Sequence, residues 1–245
     1  MDAVVAFVVA SDFERRIVEK SISVRPRHAL HGKFAVAQCG VGFRDSSPLE
    51  KLPSITRIVS TGFAGGLESG LISGAILVPE IVIGTDRNKR HIDGACRDQL
   101  ADMLANSHHI STGPLLETGE ILATPAAKAS AADEFAASGV DMESARIADY
   151  CSQHNQKFVV IRTVLDPVEM SMPRAIIDTT TNGEVPGALT LASRLLTTPA
   201  DWPNFARLLL NVWIARRALH SALANSLPLL VDASPGREGI VTDSA

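Results

Sequence analysis

A three-layer α/β/α architecture around a central mixed sheet, mostly parallel, is the fold class that this sequence predicts. Two observations carry the prediction. Short β-branched runs recur along the chain, and the first and last are almost continuously apolar, as strands covered on both faces must be. Between them lie stretches of helical composition, and such βα alternation belongs to parallel sheets. With 245 residues, 46% of them hydrophobic, the chain can bury one large core as a single unit.

The expected strands are Val4–Ala10, Lys33–Cys39, Arg57–Thr61, Ala75–Ile83 and Lys157–Val164. The expected helices are Cys96–Ala105, Pro125–Ala137, Glu143–Gln153 and Gly187–Leu196. Further on, Phe205, Leu208, Leu209, Val212, Ala215, Leu219 and Leu223 share one helical face. Trp213 and Ile214 widen that face, and Arg216, Arg217 and His220 make one edge polar. One domain is therefore expected over residues 1–231, with residues 186–231 as a helical extension. The Gly-, Ser- and acid-rich residues 232–245 read as a disordered tail.

Charge and cysteine usage exclude several roles. Lys and Arg number 23 against 27 Asp and Glu, a net charge of −4, so nothing draws the chain strongly to nucleic acid. The same balance supplies no polybasic membrane anchor. Cys39, Cys96 and Cys151 are odd in number, far apart and set in apolar surroundings, which suits structural thiols in a reducing compartment. The apolar start, Met1–Ala10, is too short to span a bilayer and lacks the basic region of a signal peptide. A cytoplasmic protein is expected. His108 and His109 are adjacent and point apart, and no paired-cysteine or HxxxH pattern occurs, so no metal site is expected.

Three segments could carry chemistry. The first, Ser11-Asp12-Phe13-Glu14-Arg15, follows the first strand, where ligands of open α/β sheets bind. Asp12 and Glu14 could enter a pocket there, or simply form the acidic first turn of a helix. The second, Ser60-Thr61-Gly62-Phe63-Ala64-Gly65-Gly66-Leu67, also follows a strand. Its glycines let backbone approach a ligand, so that the N–H groups of Gly62, Phe63 and Ala64 can meet an anion or a sugar hydroxyl; a tight structural turn is the alternative. Its spacing is neither a dinucleotide fingerprint nor a P-loop. The third joins Val140-Asp141-Met142-Glu143-Ser144-Ala145 to Arg162-Thr163-Val164-Leu165-Asp166-Pro167. One carboxylate can accept hydrogen bonds from vicinal ribose hydroxyls, and another, its pKa raised by burial, can deliver a proton; each could instead cap a helix or pair with a cation.

Taken together, in this order, the segments resemble the family of purine nucleoside and uridine phosphorylases and methylthioadenosine/S-adenosylhomocysteine nucleosidases, over most of the first 170 residues. The resemblance implies a nucleoside phosphorylase-like fold and cleavage of a purine nucleoside's N-glycosidic bond. It implies that Glu143 binds the ribose, that Met142 lies against the sugar, and that Asp166 protonates purine N7. It implies that Glu14 orients and deprotonates the attacking water, with Arg162 near that water, and that Leu122 takes the place of an aromatic residue against the base. No cofactor is implied, phosphate being the one candidate co-substrate. Assembly as a homo-oligomer is implied as well.

The chain departs from the family's pattern at Phe63 and Leu165, where serines are usual, and at Ser60, where hexameric phosphorylases carry a phosphate-binding arginine. Gly42 and Arg44, in Gly40-Val41-Gly42-Phe43-Arg44, could still bind phosphate, but the loss at Ser60 and the retained Glu14 favour water. Residues 167–223 resemble the hopanoid-associated branch, which implies release of adenine from adenosylhopane. Met170, Met172, Phe63 and the C-terminal helix are the apolar groups expected to receive a lipid at C5′, with transient contact at the inner membrane. A nucleosidase of small adenosine thioethers, a general purine nucleoside phosphorylase and a non-catalytic nucleoside- or lipid-binding protein are the alternatives.

Overall fold

The alternation read from the sequence becomes a ten-stranded mixed sheet in the computed structural model, which describes residues 4–24, 33–173 and 202–232. Its elements are β1 (Val4–Val9), α1 (Asp12–Ser23), β2 (Lys33–Gln38), α2 (Ser47–Glu50), β3 (Ile55–Gly66), β4 (Ile76–Leu77), β5 (Ile81–Ile83), β6 (Lys89–His91), α3 (Gly94–Ala105), β7 (Ile110–Ser111), β8 (Leu115–Glu117), α4 (Pro125–Phe135), β9 (Gly139–Asp141), α5 (Ser144–Gln153), β10 (Lys157–Asp166) and α6 (Trp202–Asp232). Six of the nine strand pairings are parallel; the antiparallel ones are β10 with β4, β3 with β9, and β5 with β6.

The apolar character of β1 follows from burial on both faces. Val5, Phe7 and Val9 pack with Ile17 and Val18 of α1, Leu100 and Leu104 of α3, and Leu219, Leu223, Leu227 and Leu230 of α6. Ala6 and Val8 pack on the opposite side with Ala145, Ile147, Ala148 and Cys151 of α5. Cys39, Cys96 and Cys151 are buried and unpaired by disulfides, and burial raises their thiols to about 12, 11 and 12 respectively, which makes them poor nucleophiles.

Several expectations change. The run Ala75–Ile83 is two strands, because β4 pairs with β10 and β7 before Pro79, and β5 then pairs with β8 and β6. The glycine-rich segment after Arg57–Thr61 is no turn: β3 continues to Gly66, pairing through Gly62–Gly65 with β10 and at its end with β9. On α6, Leu208, Ala215, Leu219 and Leu223 are buried as expected, whereas Leu209 and Trp213 stand exposed. Asn211, Ala222, Ser226, Leu227 and Leu230 complete the buried face in their stead. The expected helix Gly187–Leu196 and the expected tail beyond Asp232 lie outside the described residues.

Candidate active site

The carboxyl ends of β1, β3 and β10 lie side by side, with β10 in register against β3 so that Arg162 pairs with Gly62 and Thr163 with Phe63. β9 joins the far end of β3 and leads through Asp141 and Glu143 into α5. Where these ends meet is a cavity of about 340 Å³, lined by Glu14, Phe63, Ala64, Leu122, Met142, Glu143, Asp166 and Met172 among others.

Glu14 is held by the chain's own turn. Ser11 and Glu14 form a capping box at the start of α1, and Glu14 Oε2 accepts from the N–H groups of Ala10 and Ser11, each at 3.0 Å, and from Ser11 Oγ at 3.1 Å. Oε1 accepts from Phe63 N–H at 3.0 Å. Of roughly four acceptor positions on a carboxylate, the less engaged ones are therefore on Oε1. Both readings of Glu14 hold at once: it caps a helix and it faces a cavity.

Arg162 organises the carboxylates. Its side chain is buried, and Nη2 donates to Ser60 Oγ at 3.0 Å and Glu143 Oε2 at 3.1 Å while pairing with Asp141 Oδ2 at 2.9 Å. Nη1 donates to Phe63 O at 3.4 Å. Glu143 Oε1 accepts from Gly42 N–H at 3.0 Å. Asp141 also accepts from Ser144 Oγ, and Ser144 Oγ lies 3.0 Å from Ser60 Oγ, so strands β3, β9 and β10 are bound together by one polar network. Glu143 stands at the N-cap of α5 without capping it. The buried Glu117 does so instead, accepting from Ala145 N–H at 2.7 Å and Arg146 N–H at 3.1 Å, which leaves Glu143 available to the cavity.

Burial, and then the charges of Asp141 and Glu14, raise the Glu143 carboxyl to about 7 against the pull of Arg162 and Gly42 N–H. Its pKa in the folded chain exceeds the ordinary 4.5. The stability this group contributes is thus full below 4.5 and is lost as pH rises through about 7. Wild type should lose unfolding free energy over that window relative to Glu143→Gln, by up to roughly 3 kcal/mol. Denaturant titrations of both proteins between pH 4 and 8 check this, and parallel pH dependences would contradict it.

Asp166 ends β10 on another wall of the cavity. Burial raises its carboxyl, while Lys128 of α4, 2.6 Å from Oδ2, opposes the rise. A carboxyl so placed can retain a proton for delivery to a bound molecule.

Seven of the anticipated residues, Glu14, Phe63, Ala64, Leu122, Met142, Glu143 and Asp166, line this one cavity. Three do not. Arg162 lies behind the wall and reaches the cavity only through the groups it holds, so it positions carboxylates rather than touching a ligand. Gly42 has its N–H engaged by Glu143. Arg44 is exposed on an outer groove with Phe43, Arg146 and Tyr150. Gly62 lies under Glu14, with φ of +145°, and a Cβ there would collide with Glu14 Oε1 and the Arg162 guanidinium. Gly62→Ala should therefore displace Glu14 and lower kcat/KM by about a hundredfold, measured on whichever nucleoside the protein turns over; unchanged kinetics would show that Glu14 is dispensable.

Sequence reasoning missed Lys128, Asp141, Ser144 and Glu117 as members of the site. Asp141 had a signal, two carboxylates alternating across Met142 at a strand end. Lys128 had none, since Pro-Ala-Ala-Lys-Ala reads as a helix with a solvated lysine.

Comparison with solved structures finds the same architecture. The methylthioadenosine/S-adenosylhomocysteine nucleosidase of Neisseria meningitidis, in complex with methylthio-immucillin-A, matches at TM-score 0.63 and 15% identity, covering 93% of this chain and 99% of that one. A putative nucleosidase of the same description from Francisella philomiragia matches at TM-score 0.63 and 16% identity, covering 95% and 100%. A futalosine hydrolase mutant from Helicobacter pylori matches at TM-score 0.59 and 15% identity, covering 82% and 99%. At such identities the likeness is one of fold. Among curated proteins, none matches. The model of the phosphorylase superfamily matches residues 6–193, and the chain belongs to that superfamily.

Proposed function

We propose that the protein is an N-ribosyl hydrolase that releases the base from a purine nucleoside, with adenosylhopane, an adenosine bearing a lipid at C5′, as its substrate. The observation that carries this reading is one cavity lined both by Asp166, whose carboxyl burial raises, and by the separate carboxylate cluster of Glu143 and Glu14. Breaking the C1′–N9 bond sends its electron pair onto the purine and leaves cationic character on the sugar. Asp166 donates its proton to N7, Glu143 accepts from the ribose hydroxyls, and Glu14 Oε1 takes the proton of the water whose oxygen bonds to C1′.

Water is favoured over phosphate because candidate anion contacts are already engaged or remote. Gly42 N–H serves Glu143, Ser60 Oγ is bound by Arg162 and next to Ser144, and Arg44 sits on the outer groove. Adenine release should therefore proceed in phosphate-free buffer and yield the free ribosyl compound. Strict dependence on phosphate would make the protein a phosphorylase.

The apolar 5′ substituent is supported by Phe63, Ile121, Leu122, Leu165 and Met172, which line the cavity. Met170 does not join them: it is buried, its sulfur accepting from Asn211 Nδ2 of α6 at 3.2 Å. Nor does α6 line the cavity among the described residues. Phe63 instead stacks on the partly exposed Phe13, ring centroids 5.8 Å apart. Phe13 opens onto a groove with Trp213, Arg16, Lys20, Arg216 and Arg217, whose apolar and cationic character suits an anionic membrane surface presenting a lipid substrate. No helix of the described residues is long and apolar enough to cross a membrane. Adenosylhopane in detergent should release adenine faster than methylthioadenosine does. The reverse ranking would favour the small-thioether nucleosidase reading.

A further inference from the structure

Lys128 is wholly buried, although its position on α4 gives no reason in the sequence for burial. Its Nζ donates to the carbonyl oxygens of Asp166 at 3.2 Å, Pro167 at 2.8 Å and Met170 at 3.1 Å, and lies 2.6 Å from Asp166 Oδ2. Four acceptors thus surround one ammonium, all from the end of β10 and the turn after it. Met172 N–H, donating to Ala123 O at 2.8 Å, ties the same turn to the start of the α4 segment. A lysine kept only for helix stability would extend into water, where its charge is solvated.

From this geometry we propose that Lys128 is the positioning residue for the proton donor: it fixes the Asp166 carboxyl and reserves Oδ1 for the proton. The proposal rests on the reading of Asp166 as the acid. An ammonium 2.6 Å from Oδ2 places its positive charge against that oxygen and repels a proton there, so any proton the carboxyl carries resides on Oδ1. The three carbonyls hold the cation itself in place and make it independent of solvent. Gly65 of β3 pairs with Asp166, so the carboxyl stands beside the backbone of the neighbouring strand.

The other charged groups near Asp166 are Glu14, Glu120, Asp141 and Glu143, which share the cavity, Glu169, which follows in the turn, and Arg162, which lies four residues back on β10 and is committed to Asp141 and Glu143. Lys128 is the cation in contact with Asp166, and it limits the rise that burial imposes. A donor that held its proton too firmly would not release it to a purine nitrogen, and one that lost it too early would have none to give.

The test is Lys128→Met, with Lys128→Arg beside it. In Lys128→Met the alkaline limb of the kcat–pH profile should move up by about 1–3 pH units, because the opposite charge that lowers the Asp166 pKa is gone. At the optimum kcat should fall about a hundredfold while KM changes little. Lys128→Arg keeps the charge in a cage shaped for an ammonium; it should retain the wild-type limb and lose part of kcat. Lowered thermal stability with an unshifted pH profile and unchanged kcat in both variants would overturn the proposal, leaving a structural tie. Should Lys128→Met not fold, Lys128→Arg and the double variant Lys128→Arg/Asp166→Asn still decide: a positioning role acting through Asp166 predicts no loss of kcat beyond that of Asp166→Asn alone. Carbon-13 NMR titration of the Asp166 carboxyl reads the coupling without turnover. If wild type cleaves no nucleoside, the proposed function fails; if the Asp166 titration is also the same in wild type and Lys128→Met, this inference fails with it.

Discussion

Asp166→Asn is expected to lower kcat for base release by about 10²–10⁴-fold, the usual range for removing a general acid. The substitution keeps the shape of the side chain and removes what the reaction needs, a proton that can be handed to N7. Burial raises the Asp166 carboxyl, so that it can hold this proton, and an amide has no equivalent. Because Lys128 retains its three carbonyl acceptors in the variant, the end of β10 should stay folded. Glu143, Met142 and Phe63 still line the cavity, so KM for the nucleoside should change much less than kcat. Steady-state adenine release, with melting curves as the control for folding, measures both. A protein that only binds nucleosides would behave otherwise, with no turnover in either form and the same affinity in both. Retention of more than about a tenth of wild-type kcat would remove Asp166 from the mechanism.

Arg162→Met should destabilise the fold by about 3–5 kcal/mol, the range for removing one partner of a buried ion pair. The guanidinium is enclosed with Asp141 and Glu143, and Glu14 is close enough to act on it electrostatically. Methionine fills much of the space yet leaves those carboxylates facing one another at low dielectric, with only neutral donors such as Gly42 N–H on Glu143 and Ser144 Oγ on Asp141 beside them. The remaining way to relieve them is protonation. The Glu143 carboxyl, already raised by burial, should therefore rise further, and the deficit relative to wild type should be smallest in acid and grow as pH rises towards neutrality. Urea denaturation at several pH values measures this. A deficit below about 1 kcal/mol at neutral pH would mean that the network does not depend on its cation. Activity should be lost as well, since Glu143 is aligned by Arg162 Nη2 on one oxygen and Gly42 N–H on the other.

Much of this arrangement was legible in the residues. β1 and β10 announced themselves because strands buried on both faces must be apolar throughout. Helix α1 was not among the expected helices, although Ser11 and Glu14 form a capping box at its start. The carboxylates Glu14, Glu143 and Asp166 were legible by type and by place, at strand ends and helix starts. Strands β6 to β9 were not: two or three residues make no period, and only their partners in the sheet define them. The glycine-rich segment read as a turn because glycine permits one, yet β10 on one side and β9 beyond it keep the chain extended.

The sequence by itself determined the alternating architecture, and with it the sheet edge at which acids of the right type would gather. Tertiary structure decided what each charge does. Arg162 and Lys128 have side chains long enough to serve either solvent or a buried acceptor; the apolar run around Arg162 points to burial, but nothing in the local sequence of Lys128 does, and neither names its partner. Only the packing of β10 against β3, and of α4 over the end of β10, removes water from both cations and leaves Asp141, Glu143 and Asp166 as their partners. Desolvation then makes those partnerships obligatory, because a buried charge without an opposite one cannot persist.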